Sequence, residues 1–266
     1  MNKRAPLDAT DVDAVEEANF ISGIFNYCDR WCDGCAFTSR CRVYAEENEG
    51  PDDPESRDIT NAKFWRKLES IFKQAHQMIA DWAEENGIDL SAIDTEAAME
   101  EQRRQLDDAE NHPLGVAATN YAKAVSEWFK EEFEQPQTFD DSGSQETDAD
   151  QTDETDDARE VIHWYQFQIG AKIMRGLMSR SDEEEDELDD DYPKDSDGSI
   201  KVALIAMDRS ISAWRIMQIA LPEKADSIVP SLVALEKLRQ GTEQAFPQAR
   251  DFIRPGFDEV SDDLIA

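Results

Sequence analysis

An all-α fold is what this 266-residue sequence predicts, and three observations carry the prediction. Apolar residues recur three and four positions apart in successive segments, which is the repeat of a helix face. Nowhere do β-branched residues alternate with polar ones over a strand's length, so no strand is required. Acidic stretches with Ser, Thr, Gly and Pro, and little to bury, separate the periodic segments. Together they predict a bundle of four to five long helices, with acidic disordered linkers and an N-terminal cysteine-rich loop.

Residues 1–50 read as one helix followed by that loop. The helix starts at Thr10-Asp11 and carries Val12, Val15, Phe20, Ile24 and Phe25. It is expected to run into Cys28, which would set Cys28 and Cys32 on one face, four apart. A short helical turn follows Cys41, and Gly50-Pro51-Asp52-Asp53-Pro54 breaks the chain.

Residues 58–136 form the first helical part of the expected bundle. Its strongest helix starts at Thr60, a good N-cap, and stops at Asn86-Gly87. Phe64, Leu68, Ile71, Ala75, Met78 and Trp82 form its stripe, with Trp65, Phe72 and Ile79 as a flanking row. So wide a stripe is expected to pack against at least two neighbours. The segment Asp94 to Glu110 is helical by propensity but poor in apolar residues, hence peripheral. Pro113 suits the first turn of the next helix, capped by Asn111 or His112, which carries Tyr121, Val125, Trp128 and Phe129.

Residues 137–157 read as an acidic linker, 158–180 as the central bundle helix, and 181–199 as a second acidic linker. The central helix has one face of Val161, Ile162, Tyr165, Ile169 and Ile173, and another of Trp164, Phe167, Met174 and Met178. A helix apolar nearly all round belongs in the middle of a bundle. Residues 200–266 supply the C-terminal helices, one through Leu204, Ile211 and Trp214, another around Pro230 ending near Gly241, and an irregular tail.

The chain carries 61 acids against 27 Lys plus Arg, a formal charge of −34. Residues 140–157 and 182–191 hold nine acids each and no base, leaving −16 on the remainder. This balance opposes nucleic-acid and anionic-membrane surfaces, which require clustered bases. The acidic segments read either as a solvated surface or as a docking surface for a basic protein partner. No apolar run approaches the ~18 residues of a membrane span, and no secretory or transit pattern opens the sequence. The expectation is a cytoplasmic protein, in which clustered thiols bind metal more often than they form disulfides.

All four cysteines lie within fourteen positions, as Cys28-x3-Cys32-x2-Cys35-x5-Cys41. Thiolates are soft ligands that suit zinc, cuprous copper and iron–sulfur clusters. Zinc ribbons usually split their ligands between two distant Cys-x2-Cys knuckles, whereas here one knuckle is closely flanked by the other two ligands. That is how one loop often wraps a cubane cluster. The segment Cys32 to Cys41 resembles the last three ligands of the iron–sulfur loop in the endonuclease III family of DNA glycosylases. That family places six residues before the shared unit where this chain places three. The resemblance implies the cluster type for these cysteines. Neither the glycosylase helix–hairpin–helix nor its catalytic residues are present, so nothing is implied about DNA repair.

Arg30, Arg40 and Arg42 against Asp29 and Asp33 give residues 28–42 a net charge of +1. Cations and N–H donors offset the residual negative charge of a thiolate-ligated centre. The first functional expectation is therefore one iron–sulfur cluster on Cys28, Cys32, Cys35 and Cys41, for electron transfer, sensing or structure. The alternative is structural zinc in an acidic interaction module.

A second constellation is thinner. Glu160-x2-His163 matches the Glu-x-x-His spacing of ferritin-like di-metal sites, and Asp208 lies beside the apolar stripe of its helix. The matching second motif is missing, so a metal-dependent oxidoreductase on Glu160, His163 and Asp208 is the third expectation. Against it, Asp208 reads equally well as half of an ion pair with Arg215 or Lys172. No Gly-rich phosphate loop and no nucleophile elbow is present.

Overall fold

The computed structural model describes residues 19–48, 54–92, 94–133, 149–185 and 194–258. They are helical throughout their ordered elements, and among them there is no strand. The chain divides into two units: Arg42–Arg103, and the described residues up to Cys41 joined to those from Arg104 onward.

The Arg42–Arg103 unit holds α1 (Arg42–Asn48), α2 (Pro54–Arg57) and α3 (Ala62–Asn86), and the start of α4 (Thr95–Asn111). Asn61 caps α3 by accepting the Lys63 N–H at 2.9 Å, while Thr60 donates to Asp58 instead. Gly87 ends the helix in the left-handed conformation, φ 68, with the Ile88 N–H returning to the Ala83 carbonyl. The expected burial of the α3 stripe on two neighbours is not observed. Within the unit α3 packs on α2, and Ile71, Met78, Trp82 and the flanking Trp65, Phe72 and Ile79 are each half or more exposed.

The other unit is built on α5 (Pro113–Phe133), α6 (Ala149–Glu185), α7 (Asp195–Ala220) and α8 (Ala225–Ala245). They close a ring in which α5 packs on α6 and α8, and α7 packs on α6 and α8. Tyr121, Val125, Ile162, Tyr165, Ile169, Leu204, Met207, Trp214 and Leu235 meet in its core. The Trp214 Nε1–H donates to Tyr121 Oη at 3.0 Å, and Trp128 stands edge-on to Trp214. The buried indole N–H thus finds its acceptor in the buried hydroxyl oxygen.

Two helix assignments differ from the sequence expectation. The all-round buried helix is α7, not α6: Ile200, Leu204, Met207, Trp214 and Met217 show no exposed surface. The second face of α6 opens outward, with Phe167 62% and Trp164 40% exposed. A row of aromatic residues can be a partner's platform as easily as core, and Trp164 serves the cysteine loop, as shown below.

The linker boundaries also shift. Helix α6 takes in residues 149–157 and 181–185, and α7 begins at Asp195. Acids are favoured in a first turn by the helix dipole, so an acidic composition does not by itself forbid a helix start. At the other end the acids acquire partners: Asp182 accepts from Gln105, and Glu183 caps α7 by accepting the Ser196 N–H and hydroxyl. Helix α8 runs past Gly241 to Ala245 and contains Pro230. The remainder of both acidic segments, and the helix start at Thr10, lie outside the described residues. No helix among the described residues is long and apolar enough to cross a membrane.

After a short turn at Ala249–Asp251 the chain returns to α7, where Lys201 reaches Asp258 at 2.9 Å beside the Arg254–Asp258 pair. Burial alone would raise the Asp258 carboxyl. Hydrogen bonds from Arg254 and Lys201 outweigh it and hold the group well below the usual carboxylate range. A depressed folded-state value adds stability above the unfolded value of about 4 and loses it as pH falls toward the folded one. The melting-temperature gap between wild type and Asp258→Asn should therefore be constant near neutrality and close progressively in acid. A gap unchanged down to the lowest pH at which the chain still folds would contradict this.

Candidate functional site

The cysteine loop is a run of short turns rather than the end of a helix. Residues Ile24–Tyr27, Cys32–Gly34 and Thr38–Arg40 are single 3-10 turns. Gly23 precedes the first in the left-handed conformation, φ 73, and Cys28 leaves it extended. The expected placement of Cys28 and Cys32 on one helix face is thus replaced by a corner between two turns. Cys28, Cys35 and Cys41 each occupy the extended position that closes a turn, and Cys32 opens the middle one.

The loop is tied at its base and along its length. The Ile21 N–H donates to the Arg40 carbonyl at 3.0 Å, joining the strands of chain that enter and leave. Asp29 is the principal anchor. Its carboxylate accepts from Tyr165 Oη at 2.7 Å, from Arg209 Nη1, and from the Trp31 N–H. Its backbone carbonyl accepts from Trp164 Nε1 at 3.1 Å and Gln168 Nε2 at 2.6 Å. Lys172 Nζ reaches the Asn26 carbonyl at 3.3 Å. Tyr165, Gln168 and Lys172 stand at three- and four-residue steps, so one track of α6 holds the loop. Arg30, next to the anchor, has φ 56, a left-handed geometry otherwise found only at glycines among the described residues.

Aromatic contacts complete the docking. Trp31 stacks on Trp164, centroids 5.4 Å apart, and meets the edge of Tyr165. Tyr27 packs on Phe252 and donates to Asp195 at 2.9 Å, while Asp195 also pairs with Arg175. Burial, reinforced by that acceptor, pushes the Tyr27 hydroxyl up to about 12. Gly198 lets α7 approach, since a Cβ there would lie 2.3 Å from the Tyr27 ring.

All four cysteines are half-buried and no disulfide joins any two of them. The Phe37 N–H donates to Cys35 Sγ at 3.4 Å, and Cys28 Sγ donates to the Phe25 carbonyl. Lys172 lies near Cys28. Burial depresses the lysine below its usual range, Arg175 and Arg30 adding to the shift while Cys28 opposes it. The loop thus offers four half-buried thiols, one of them accepting an N–H, with a lysine beside Cys28. The thiol positions do not form a ligand group, because among the described residues no three His, Cys, Asp or Glu converge.

The second constellation is not brought together. Glu160 and His163 line an open hollow with Ser126, Phe129 and Gln166, and the His163 ring meets Phe129 edge-on at 5.7 Å. Asp208 instead pairs with Arg250 at 2.6 Å, in a network with Glu243 and Arg239 that joins α7 to α8 and the turn after it. Its partners are thus neither Arg215 nor Lys172. His112 caps α5, accepting the Leu114 N–H, and burial lowers its ring nitrogen's affinity for a proton.

Sequence reading did not single out Asp29, Tyr165, Gln168, Lys172 and Arg209 as a docking set. A signal existed: polar groups at helical spacing in an otherwise apolar helix. Compared with known proteins, the chain matches no family model, no curated protein and no solved structure.

Proposed function

We propose that Cys28, Cys32, Cys35 and Cys41 hold one iron–sulfur cluster, and that the ring of α5–α8 is a four-helix bundle serving as its carrier. The observation supporting this most strongly is the placement of all four cysteines at the boundaries of successive turns in one loop, fastened to α6 and α7. Lys172 and Arg30 supply positive charge on the bundle side, and the Phe37 N–H already serves one sulfur. Forming the centre requires the turns to draw their thiols together, while Asp29 and the Ile21–Arg40 bond keep the loop's ends in place.

A cluster so held serves electron transfer, sensing or bracing of the loop. Zinc in the same thiolates would leave only the bracing role, because zinc has no redox chemistry. The test is the metal content of protein purified without oxygen. Iron and acid-labile sulfide in near-equal amounts support the reading; stoichiometric zinc without sulfide would replace it with a structural staple.

A further inference from the structure

The bare face of α3 is a second, independent feature. Phe64, Leu68, Ile71, Ala75, Met78 and Trp82 follow one another at steps of four, three, four, three and four. That is a coiled-coil seam, with Leu68, Ala75 and Trp82 at a positions and Phe64, Ile71 and Met78 at d positions. Trp65, Phe72 and Ile79 fall at the neighbouring e positions. Among the described residues of its own unit nothing covers most of the seam: Ile71 is 50% exposed, Phe72 56%, Met78 71% and Trp82 56%.

The charges along α3 are polarised. Lys63, Arg66, Lys67 and Lys73 accompany one acid, Glu69, in residues 62–74. Residues 75–86 carry Asp81, Glu84 and Glu85 and neither Lys nor Arg. The helix is therefore formally neutral inside a chain of −34. The polarity is also adverse to the helix itself, with no acid in the first turn and no base in the last. The dipole prefers the opposite arrangement, so the pattern serves something outside the helix.

We propose that α3 pairs antiparallel with α3 of a second copy of this chain. Antiparallel coiled coils set a against d across the seam, and these residues do so about a single centre beside residue 73. Phe64 meets the partner's Trp82, Leu68 meets the partner's Met78, and Ile71 meets the partner's Ala75. The e positions close one flank, Trp65 on the partner's Ile79 and Phe72 on the partner's Phe72. At the g positions Lys67 faces the partner's Asp81, twice by symmetry. Each basic half lies over an acidic half, and each dipole end over its opposite. A neutral, two-signed helix suits a copy of itself better than a basic protein or an anionic membrane.

Sedimentation equilibrium of the full chain in reducing buffer at moderate salt, from low to high micromolar, tests this. A dimer mass is expected. Lys67→Glu and Asp81→Lys should each raise the dimer Kd about tenfold or more by setting like charges together. The double swap should return it to within about threefold of wild type, since the pair is restored in reverse. Leu68→Glu should leave a monomer. A wild type that is monomeric throughout, a dimer indifferent to Leu68→Glu, or singles not rescued by the double swap would each overturn the proposal. So would a monomer that pellets with anionic phospholipid vesicles, which would assign the face to a lipid surface.

Discussion

Replacing Trp214 by alanine is expected to destabilise the α5–α8 core by about 4 kcal/mol, the middle of the range for removing a buried aromatic side chain. Trp214 has no exposed surface and meets Trp128 edge-on at 5.1 Å. Its loss opens a cavity at the centre of the ring and removes the donor that faces the buried Tyr121 hydroxyl. Burial holds that hydroxyl protonated far above the usual tyrosine range, so it cannot adapt by ionising. Trp214→Phe keeps much of the volume and loses the N–H, and should cost about 1–2 kcal/mol. Urea unfolding followed by far-UV circular dichroism reads both. A cost below about 1 kcal/mol for the alanine variant would mean that Trp214 is not the core's keystone.

Asp29→Ala is the second large effect, and it concerns the loop. The substitution leaves Tyr165 Oη and Arg209 without their shared carboxylate and frees the Trp31 N–H. Hydrogen bonds to a charged group contribute about 1.5–3 kcal/mol each where buried. Arg209 is half-exposed, which lowers its share through solvent screening. A net loss of about 2 kcal/mol in loop docking corresponds to roughly thirtyfold in the opening equilibrium. In metal-free protein the thiols should react with an aromatic disulfide reagent faster by about that factor, and the near-UV signal of the Trp31–Trp164 stack should fade. The backbone contacts of Asp29 to Trp164 and Gln168 persist, so the helices should melt almost as before. Thiol reactivity equal to wild type would show that Asp29 does not dock the loop.

Much of the fold was legible because helical periodicity records which face of a segment is buried. The stripe of α3 and its Gly87 stop show in the sequence as plainly as in the structure. What covers a face is not recorded in the same way. Trp164 and Phe167 read as core by spacing, yet one roofs Trp31 and the other faces outward. The α3 stripe likewise reads as core and stands bare in its own unit. Glu183 sat in a run that composition marks as linker, and its role as the cap of α7 depends on a partner thirteen residues away.

The loop was legible in its donors and not in its scaffold. Four cysteines in fourteen residues are visible to counting. The bend at Cys28 is not, because it follows from Gly23 turning left-handed and from Asp29 meeting Tyr165 and Arg209, over one hundred residues away in sequence. The partner of Asp208 was hidden for a similar reason. A carboxylate beside an apolar stripe looks like a ligand until Arg250, forty-two residues on, is seen to hold it.

The claim on which the functional reading rests is that Cys28, Cys32, Cys35 and Cys41 form one iron–sulfur centre. Its most direct test is iron, zinc and acid-labile sulfide analysis, with an absorption spectrum, on protein purified without oxygen, alongside a variant with all four cysteines changed to serine. A brown wild type with iron and sulfide in near-equal amounts is expected, and a colourless, metal-free variant that still folds on its α5–α8 core. A colourless wild type, or iron retained by the variant, would contradict it.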